Sequence, residues 1–450
     1  MTEQRDQYKR LVEFTEVIIL FALHSAIYII LWFAFYRYMS EAPLARRGHW
    51  AMAAAYPIMM IVFGKVFGAF HISSRPVDIL FSHFITCVIV NALSYFIIVM
   101  AIRVYAPVWP IACMAAAEML ATVLWVLIIK YINNIIFPPR KVLLIHGDYA
   151  YDDILSTITS KSDRYIIYEI VNISSLSEEE LRAKIDGYES VMLTDLVAEE
   201  RNDVLKYCYA RSKRIYLFPK LTDIIVRSAN DVHVGDMQIF LVRNYELSID
   251  QRFIKRLGDI IVSGLIIILF GWLMLLIALL IKLEDGGSVF YRQERLTRGG
   301  KVFKIIKFRS MISNAEEQGA RLSHRNDSRV TKVGRILRVS HLDELPQVFN
   351  VFIGDMSMVG PRPERAEIMR QYMENIPEFI YRLKVKGGIT GYAQIHGKYN
   401  TTPYNKLRLD LIYIQNYSVW LDLKCLISTF KVIFRKETSE GIEEDRTTAL

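Results

Sequence analysis

The sequence predicts a membrane protein that joins α-helical membrane segments to an α/β domain and a basic C-terminal domain. Three observations predict this class. Of the 450 residues, 52% are hydrophobic, and the mean hydropathy of +0.23 is high for a soluble protein. Many apolar residues fall in runs long enough to cross a bilayer. Between these runs, short apolar stretches alternate with polar helix-like segments, which indicates a parallel sheet covered by helices.

Four apolar runs occupy the N-terminal part of the chain. They lie near residues 14–35, 51–70, 77–101 and 108–132, and a fifth run lies far downstream at 260–281. The first run is too long for a signal peptide, and no small-residue cleavage site follows it. Basic residues precede the first run and follow the fourth, so we expect both ends of this set in the cytoplasm.

Residues 141–250 have the βαβ rhythm. The stretches "KVLLIHG", "YIIYEIV", "SVMLTD" and "KRIYLFP" read as strands. A dinucleotide site would need G-x-G-x-x-G after the first strand, but "HGDYAYDD" supplies only Gly147, and Asp148 would repel a pyrophosphate. The sequence therefore argues against a dinucleotide cofactor here and against a membrane-bound dehydrogenase.

The formal net charge is +8, and its positive excess lies after residue 250. A basic surface suits anionic lipid, nucleotide phosphates or nucleic acid. We expect no nucleic acid partner, because no recognised binding motif is present. The four cysteines lack C-x-x-C spacing and predict neither a disulfide framework nor a zinc site.

The fifth apolar run leaves two interpretations open. As an ordinary span it would place the following basic domain outside the cell, away from nucleotide-activated substrates. As a re-entrant helix it would enter the membrane and return on the same side. A re-entrant helix needs a break, and Gly264 and Gly271 are the candidate positions.

Adjacent carboxylates mark the C-terminal domain. Asp343 and Glu344 precede Pro346, which suits the first turn of a helix. A helix dipole would keep both acids ionised at such a position. Neighbouring helical residues point about 100° apart, so one acid could face a substrate and the other a metal or proton. Simple helix capping is the alternative interpretation.

Several basic residues accompany these acids. They include Lys307, Arg309, Arg338 and Arg362. Lys307 and Arg309 are two apart in a strand-like stretch, so we expect them on one face. Arg362 stands between Pro361 and Pro363, which fix its backbone. Guanidinium groups match phosphate oxygens, and together with carboxylates they indicate phosphoryl chemistry.

Three motifs then occur in order: "KFRSM", "LDELPQVFNVFIGDMSMVGPRPE" and "KGGITGYAQIHG". They resemble the bacterial sugar transferases of the monotopic polyprenol phosphate phosphoglycosyl transferase superfamily over roughly residues 251–436. The whole chain resembles the large form of these enzymes. That form implies a four-helix transmembrane bundle at 1–137 and a degenerate Rossmann-like nucleotide-fold domain at 138–250. The mostly helical, membrane-associated catalytic domain would follow at 251–450, with a re-entrant helix at 259–281.

The resemblance implies a reaction and its partners. Such enzymes transfer hexose 1-phosphate from a UDP-sugar, here UDP-glucose or UDP-galactose, to undecaprenyl phosphate and release UMP. They initiate capsule, exopolysaccharide or O-antigen synthesis at the bacterial inner membrane, with a cytoplasmic catalytic domain. Membrane lipid is a further expected partner, and a homodimer is a further expectation. The alternative is a non-catalytic scaffold or regulator of polysaccharide assembly that has kept the fold.

The resemblance also implies site roles. Asp343 would be the nucleophile and the Mg²⁺ ligand, with Glu344 supporting it. Lys307, Arg309 and Arg338 would contact phosphate, and Pro361, Arg362 and Pro363 would bind nucleotide or phosphate. Two departures stand out: Gly271-Trp272 replaces the family's Ser-Pro helix break, and His341 stands where an arginine is common.

Overall fold

A computed structural model describes residues 2–39, 46–70, 76–147, 165–242, 246–312, 329–397 and 401–433. The chain divides into two compact units, Met1–Phe218 and Pro219–Leu450. Each unit has its own buried hydrophobic clusters.

The first unit begins with four long helices. These are α1 (Thr2–Leu31, extended by a π-helical turn at Trp32–Tyr36), α2 (Arg46–Phe67), α3 (Pro76–Ile102) and α4 (Trp109–Ile136). All four, and one helix of the second unit, are long and apolar enough to cross a membrane. The five apolar runs predicted from the sequence are thereby confirmed as helices, and the chain is that of a membrane protein.

A buried polar cluster connects three of these helices. Glu118 of α4 is fully buried and accepts hydrogen bonds from the Tyr56 hydroxyl of α2 and, at 2.8 Å, from Asn91 of α3. A polar side chain in an apolar surrounding is costly unless it is paired. The pairing therefore fixes these helices relative to one another in addition to their apolar packing.

A parallel four-stranded sheet follows the helices. Its elements are β1 (Arg140–His146), β2 (Tyr165–Asn172), α5 (Glu178–Asp186), β3 (Ser190–Thr194), α6 (Ala198–Ala210) and β4 (Arg214–Leu217). The strand order is β2-β1-β3-β4, and all three pairings are parallel. β3 is buried along its whole length, which explains its continuous apolar sequence.

Gly147 ends β1 at a position that a side chain could not occupy. A Cβ there would lie 2.2 Å from the carbonyl oxygen of Asp195. Close packing of backbone therefore accounts for this glycine without a phosphate ligand. Asp148 lies outside the described residues.

The second unit contains one very long helix among short elements. In chain order these are α7 (Leu221–Arg227), β5 (Asn230–Val234), β6 (Met237–Leu241), α8 (Ile249–Asp285), β7 (Phe290–Leu296), β8 (Val302–Phe308), α9 (Lys332–Val339), a 3₁₀ turn (Leu342–Glu344), α10 (Gln347–Ile353), β9 (Ser357–Val359), α11 (Ala366–Asn375), a 3₁₀ helix (Pro377–Lys384), β10 (Gly388–Thr390), α12 (Tyr392–His396), α13 (Pro403–Gln415) and α14 (Val419–Ile433). The pairs β5–β6 and β7–β8 are antiparallel, and β9–β10 is parallel.

Helix α8 continues without interruption through both predicted break positions, Gly264 and Gly271. The reason is physical: a glycine costs a helix only about 1 kcal/mol, and the helix contains no proline that would remove a hydrogen bond. A left-handed glycine, Gly286, ends the helix.

Buried polar groups fix the first turns of α8. Lys255 donates to Asp422 at 2.6 Å and to the Tyr413 hydroxyl at 3.0 Å. Asp259 accepts from the Ser357 hydroxyl at 2.9 Å and from the Met358 amide at 2.8 Å. These bonds tie α8 to β9, α13 and α14.

The short helix α7 packs into the C-terminal core. Leu221 and Ile224 are 8% and 5% exposed and belong to the main hydrophobic cluster of the second unit. The Ser228 hydroxyl also donates to Gln415 at 2.8 Å. The compact unit thus begins at Pro219, whereas the sequence placed a domain boundary at 250.

Two truncated chains test this boundary. We expect a chain that starts at Pro219 to have a higher midpoint of thermal unfolding in detergent than one that starts at Asn244, because only the longer one keeps α7. Loss of one buried leucine or isoleucine side chain costs about 2–5 kcal/mol. In the longer chain, Ile224→Ala should therefore lower the midpoint, whereas Val226→Ala, at a position 46% exposed on the same helix, should not. Equal midpoints for the two truncations would contradict this assignment.

Candidate active site

The acid pair lies in a short turn between two helices. After α9, His341 adopts a left-handed backbone with φ of 57°, and the 3₁₀ turn Leu342–Glu344 follows. Histidine tolerates this region better than bulky or β-branched residues do. The sequence predicted a helix starting near Asp343, but α10 begins only at Gln347. Pro346 lacks an N–H, so it cannot supply the hydrogen bond that would extend the helix backwards.

Glu344 binds two cations from distant parts of the sequence. Its Oε1 accepts from Lys307 Nζ at 2.6 Å and from Arg362 Nη2 at 2.7 Å. Burial alone would raise its pKa, but the positive charges of Arg362 and Lys307 outweigh burial and hold the pKa of Glu344 well below its usual range. We call Glu344, Lys307 and Arg362 the Glu344 cluster.

Asp343 has the opposite electrostatic character. Burial and the negative charge of Glu344 raise the pKa of Asp343, although Lys307 and Arg338 oppose the shift. The carboxylate of Asp343 accepts no hydrogen bond from any residue that the structure describes. The helix dipole expected from the sequence does not govern this acid, because Asp343 precedes the first turn of α10. Glu344 thus accepts hydrogen bonds from two cations, whereas the carboxylate of Asp343 accepts none from the described residues and is open to a ligand.

The other two residues predicted to contact phosphate, Arg338 and Arg309, have different partners. Arg338 donates to the Ser310 hydroxyl at 2.9 Å, and its charge acts on Asp343. Arg309 is buried and pairs with Asp285 at the end of α8. Strand β8 ends at Phe308, so the alternation expected to place Arg309 beside Lys307 does not continue. A phosphate-binding role for Arg309 stays a prediction.

Close backbone packing holds the Pro-Arg-Pro sequence. A Cβ on Gly388 would lie 2.1 Å from the Gly360 nitrogen, and one on Gly391 would lie 2.1 Å from the Gly360 oxygen. The Gly388 amide donates to the carbonyl of Pro361 at 2.9 Å. The glycine-rich stretch that contains Gly388 and Gly391 therefore packs against the backbone just before Arg362.

Arg382 supports Arg362 from the interior. It donates to the Arg362 carbonyl at 3.0 Å and to Asp410 at 3.0 Å, and its side chain is 3% exposed. Burial raises the pKa of Asp410 to about 6, against the lowering effect of Arg382. Sequence reasoning missed this pair, because the two residues lie 28 positions apart in no recognisable motif.

Sequence reasoning also missed Gln347, and it noted Arg295 only as one of many basic residues. Both line a small cavity together with Lys307 and Arg362. Gln347 is the first residue of α10 and follows Glu344 by three positions, one helical turn away. That spacing is the only signal in the sequence that could have indicated it.

The carboxylate oxygens of Asp343 would suit a Mg²⁺ ion that arrives with a phosphorylated substrate, and a Mg²⁺ requirement stays a prediction. The described residues contain no group of three histidine, cysteine, aspartate or glutamate side chains that could hold a metal by themselves. Asp343 offers one open carboxylate. Mg²⁺ is commonly bound through one or two carboxylates together with substrate phosphates and water.

Comparison with known proteins places this site in a family. Residues 250–436 match the family described as bacterial sugar transferase. A UDP-glucose:undecaprenyl-phosphate glucose-1-phosphate transferase of Caulobacter vibrioides is 41% identical over 188 residues, which are 41% of this chain and 70% of that protein. The chain belongs to the bacterial sugar transferase family.

Two further relatives cover less of their own length. A UDP-N-acetylgalactosamine-undecaprenyl-phosphate N-acetylgalactosaminephosphotransferase of Aeromonas hydrophila is 44% identical over 184 residues, 40% of this chain and 44% of the relative. A UDP-glucose:undecaprenyl-phosphate glucose-1-phosphate transferase of Klebsiella pneumoniae is 38% identical over 271 residues, 59% of this chain and 58% of the relative. The match to these family members thus spans roughly half of each relative.

Removing Arg382 tests the support behind Arg362. Arg382→Met leaves the carboxylate of Asp410, which is 1% exposed, without its cation, and such a change typically costs about 3–5 kcal/mol. We expect a lower midpoint of thermal unfolding, with a smaller loss at pH 5 than at pH 8. The raised pKa means that Asp410 is neutral at the lower pH and charged at the higher one.

Two variants serve as controls for this prediction. Arg292→Met removes an exposed arginine of β7 and should leave the midpoint unchanged. Arg382→Met combined with Asp410→Leu removes both charges and should recover much of the loss. A single variant as stable as the parent at both pH values would show that Arg382 does not hold this region.

Proposed function

We propose that the protein transfers hexose 1-phosphate from a UDP-sugar to undecaprenyl phosphate and releases UMP. One observation carries the proposal: the two adjacent acids have different states. The negative charge of Glu344 is balanced by Lys307 and Arg362. Asp343 has an open carboxylate near the cations Lys307 and Arg338. The relatives, which are named as transferases between UDP-glucose and undecaprenyl phosphate, support the same reaction.

The first step is a displacement at the β-phosphorus of the UDP-sugar. A carboxylate oxygen of Asp343 forms a bond to this phosphorus, and the bond between phosphorus and the bridging oxygen breaks. UMP leaves with that electron pair, and the enzyme holds the hexose phosphate as an acyl phosphate. Bound Mg²⁺ would supply charge neutralisation for the phosphates. Arg362 and Lys307 orient the phosphates, because their donors match phosphate oxygens as well as the carboxylate they now bind.

The second step regenerates the enzyme. A phosphate oxygen of undecaprenyl phosphate attacks the same phosphorus, and the bond to Asp343 breaks to return its carboxylate. A covalent intermediate lets one basic pocket serve two anionic substrates in turn. A raised pKa also makes Asp343 a better nucleophile than an ordinary aspartate, provided that it is ionised.

The donor sugar and pathway follow from the relatives only as proposals. We propose UDP-glucose or UDP-galactose, since the names of similar proteins include glucose and galactose phosphotransferases. Initiation of capsule, exopolysaccharide or O-antigen synthesis is the corresponding role. The rival function, a non-catalytic scaffold of polysaccharide assembly, predicts no UMP release from any UDP-sugar.

We further propose that α8, although it has no break, enters the membrane without crossing it, and that the second unit faces the cytoplasm. Both ends of the helix contact the same unit: Arg256 donates to the Val351 carbonyl at 2.6 Å, and Asp285 pairs with Arg309. Ile268 and Leu275, between these contacts, are 77% and 74% exposed apolar residues. A helix that crossed the bilayer would place its ends on opposite sides of about 30 Å of hydrocarbon.

The rest of the architecture is proposed with it. Helices α1–α4 would form a transmembrane bundle in the bacterial inner membrane, with both ends in the cytoplasm. The parallel sheet would be a degenerate Rossmann-like domain that supplies no catalytic nucleotide site. The stretch "HGDYAYDD" at the end of β1 contains a single glycine, Gly147, and backbone packing accounts for it. Homodimerisation stays a prediction.

Replacing the nucleophile tests the reaction. Asp343→Asn keeps the shape of the side chain but cannot form an acyl phosphate, so transfer should fall by roughly 10³-fold or more. UDP-sugar binding should remain measurable. The parent should show ping-pong kinetics, and acid-quenched parent enzyme should carry hexose phosphate on the peptide that contains Asp343. Asp236→Asn, in the exposed turn between β5 and β6, is the matched control. Near-normal turnover of Asp343→Asn would exclude the covalent mechanism.

Cysteine labelling tests the topology. In a chain without its four native cysteines, Asp250→Cys and Lys301→Cys place exposed thiols before and after the apolar part of α8. We expect both to react only with a reagent that has reached the cytoplasm. Tyr105→Cys, at a position 81% exposed between α3 and α4, should react from outside and serves as the positive control. Labelling of residue 301 from outside would mean that α8 crosses the membrane.

A further inference from the structure

The small cavity beside the Glu344 cluster contains donor groups without partners. Its lining includes the side chains of Arg295, Ile305, Lys307, Gln347, Arg362 and Pro363, together with Gly388. Gln347 is only 3% exposed, and its Nε2 has no hydrogen-bond partner among the described residues. The Nε of Arg295 is also buried without a partner in the described part of the chain.

A neighbouring amide shows that the helix can satisfy such a group. Asn350, three residues further along α10, is 2% exposed. Its Oδ1 accepts from the Ile306 amide at 2.9 Å, and its Nδ2 donates to the Lys304 carbonyl at 2.9 Å. A buried donor without a partner costs about 1–3 kcal/mol, and native structures contain few of them. The Gln347 amide is therefore directed at a group that the described chain does not supply.

The residues that line the cavity indicate which chemical group would complement the Gln347 amide. The two unpartnered atoms, on Gln347 and Arg295, are both N–H donors, and a single carboxylate is shared by Lys307 and Arg362. The cavity thus offers donors and excess positive charge. Its complement is an anion that only accepts hydrogen bonds, and phosphate has this character.

We propose that Gln347 donates a hydrogen bond to the phosphate that leaves with uridine, an inference that rests on the proposed function. Asp343 does not line the cavity. In an in-line displacement the leaving oxygen lies opposite the nucleophile, so a phosphate in this cavity is the departing one and not the one under attack. The bond strengthens as negative charge develops on the leaving group, so Gln347 stabilises the transition state more than the bound substrate.

Two variants of the full-length chain test this role. Gln347→Met keeps the length of the side chain without its donors, and Gln347→Glu keeps the shape but adds a negative charge. Gln415→Met is the matched control: it removes the side chain that accepts from Ser228 at 2.8 Å, its one hydrogen bond within the described residues, and Gln415 does not line the cavity. Binding of UMP and of uridine is measured by titration calorimetry in detergent. The rate of UMP release is measured with UDP-glucose and UDP-galactose in the absence of undecaprenyl phosphate.

We expect a phosphate-specific loss. Gln347→Met should weaken UMP binding roughly 10-fold and slow UMP release roughly 10- to 100-fold, the usual range for one hydrogen bond to a charged group. Uridine, which lacks the phosphate, should bind the variant as it binds the parent. Gln347→Glu should lose more than Gln347→Met because its charge repels phosphate, and Gln415→Met should behave as the parent.

The outcomes separate this inference from the proposed function. Unchanged UMP affinity and UMP release in both Gln347 variants would overturn the inference while leaving the transferase function intact. An equal loss of UMP and uridine binding, or unfolding of both variants, would assign Gln347 a structural role and overturn it as well. Gln347-dependent UMP binding without UMP release from any UDP-sugar would overturn the proposed function alone. A parent chain that does not bind UMP would overturn both.

Discussion

The arrangement of the second unit depends on one carboxylate that binds two cations. Glu344 joins β8, through Lys307, to the turn that carries the acids and to the Pro-Arg-Pro sequence, through Arg362. These three residues span more than fifty positions of the chain, so the pairing is a tertiary constraint. Without Glu344 the two cations would repel each other, and an incoming phosphate would meet a disordered pair. With it, the donors are held in place, and phosphate oxygens can compete for them at little reorganisation cost.

The same constraint distinguishes the two acids. Glu344 is kept ionised and occupied, and its negative charge contributes to the raised pKa of its neighbour. Two chemically similar side chains thus differ because of their surroundings: Glu344 binds two cations, and Asp343 accepts no hydrogen bond from the described residues. The backbone contributes too. The left-handed residue His341 reverses the chain after α9, and Pro346 delays the start of α10, so both acids lie in a tight turn.

The sequence predicted features that depend on local patterns. Apolar runs indicated all five long helices, and alternating stretches indicated the parallel strands. Of the basic residues noted in the sequence, Lys307, Arg338 and Arg362 lie near the acid pair, and Arg309 pairs with Asp285 instead. Features that depend on distant partners were not predictable. Arg382 and Asp410 find each other only in the folded chain, and the unpaired amide of Gln347 is visible only when every neighbour is known. The sequence could not predict that α7 belongs to the C-terminal unit for the same reason. Leu221 and Ile224 form an ordinary apolar helix face, and only the folded chain shows which core that face contacts.

Packing on α8 brings the turn that carries Asp343 and Glu344 close to the apolar part of this helix. Val348, five residues after Asp343, belongs to one hydrophobic cluster with Met274, Ile277 and Ile281 of α8. Outward from this cluster, Leu275, Leu279 and Leu283 of the same helix are 74%, 55% and 74% exposed, as suits residues in contact with lipid. The acid turn is therefore held within a few residues of an exposed apolar surface, which the proposed arrangement places in the membrane, while its cations remain in a polar pocket. A lipid-linked phosphate and a water-soluble nucleotide sugar differ most in where they reside. In the proposed reaction, a carboxylate at the junction of these two environments reacts with each substrate in turn, without either substrate leaving its own phase.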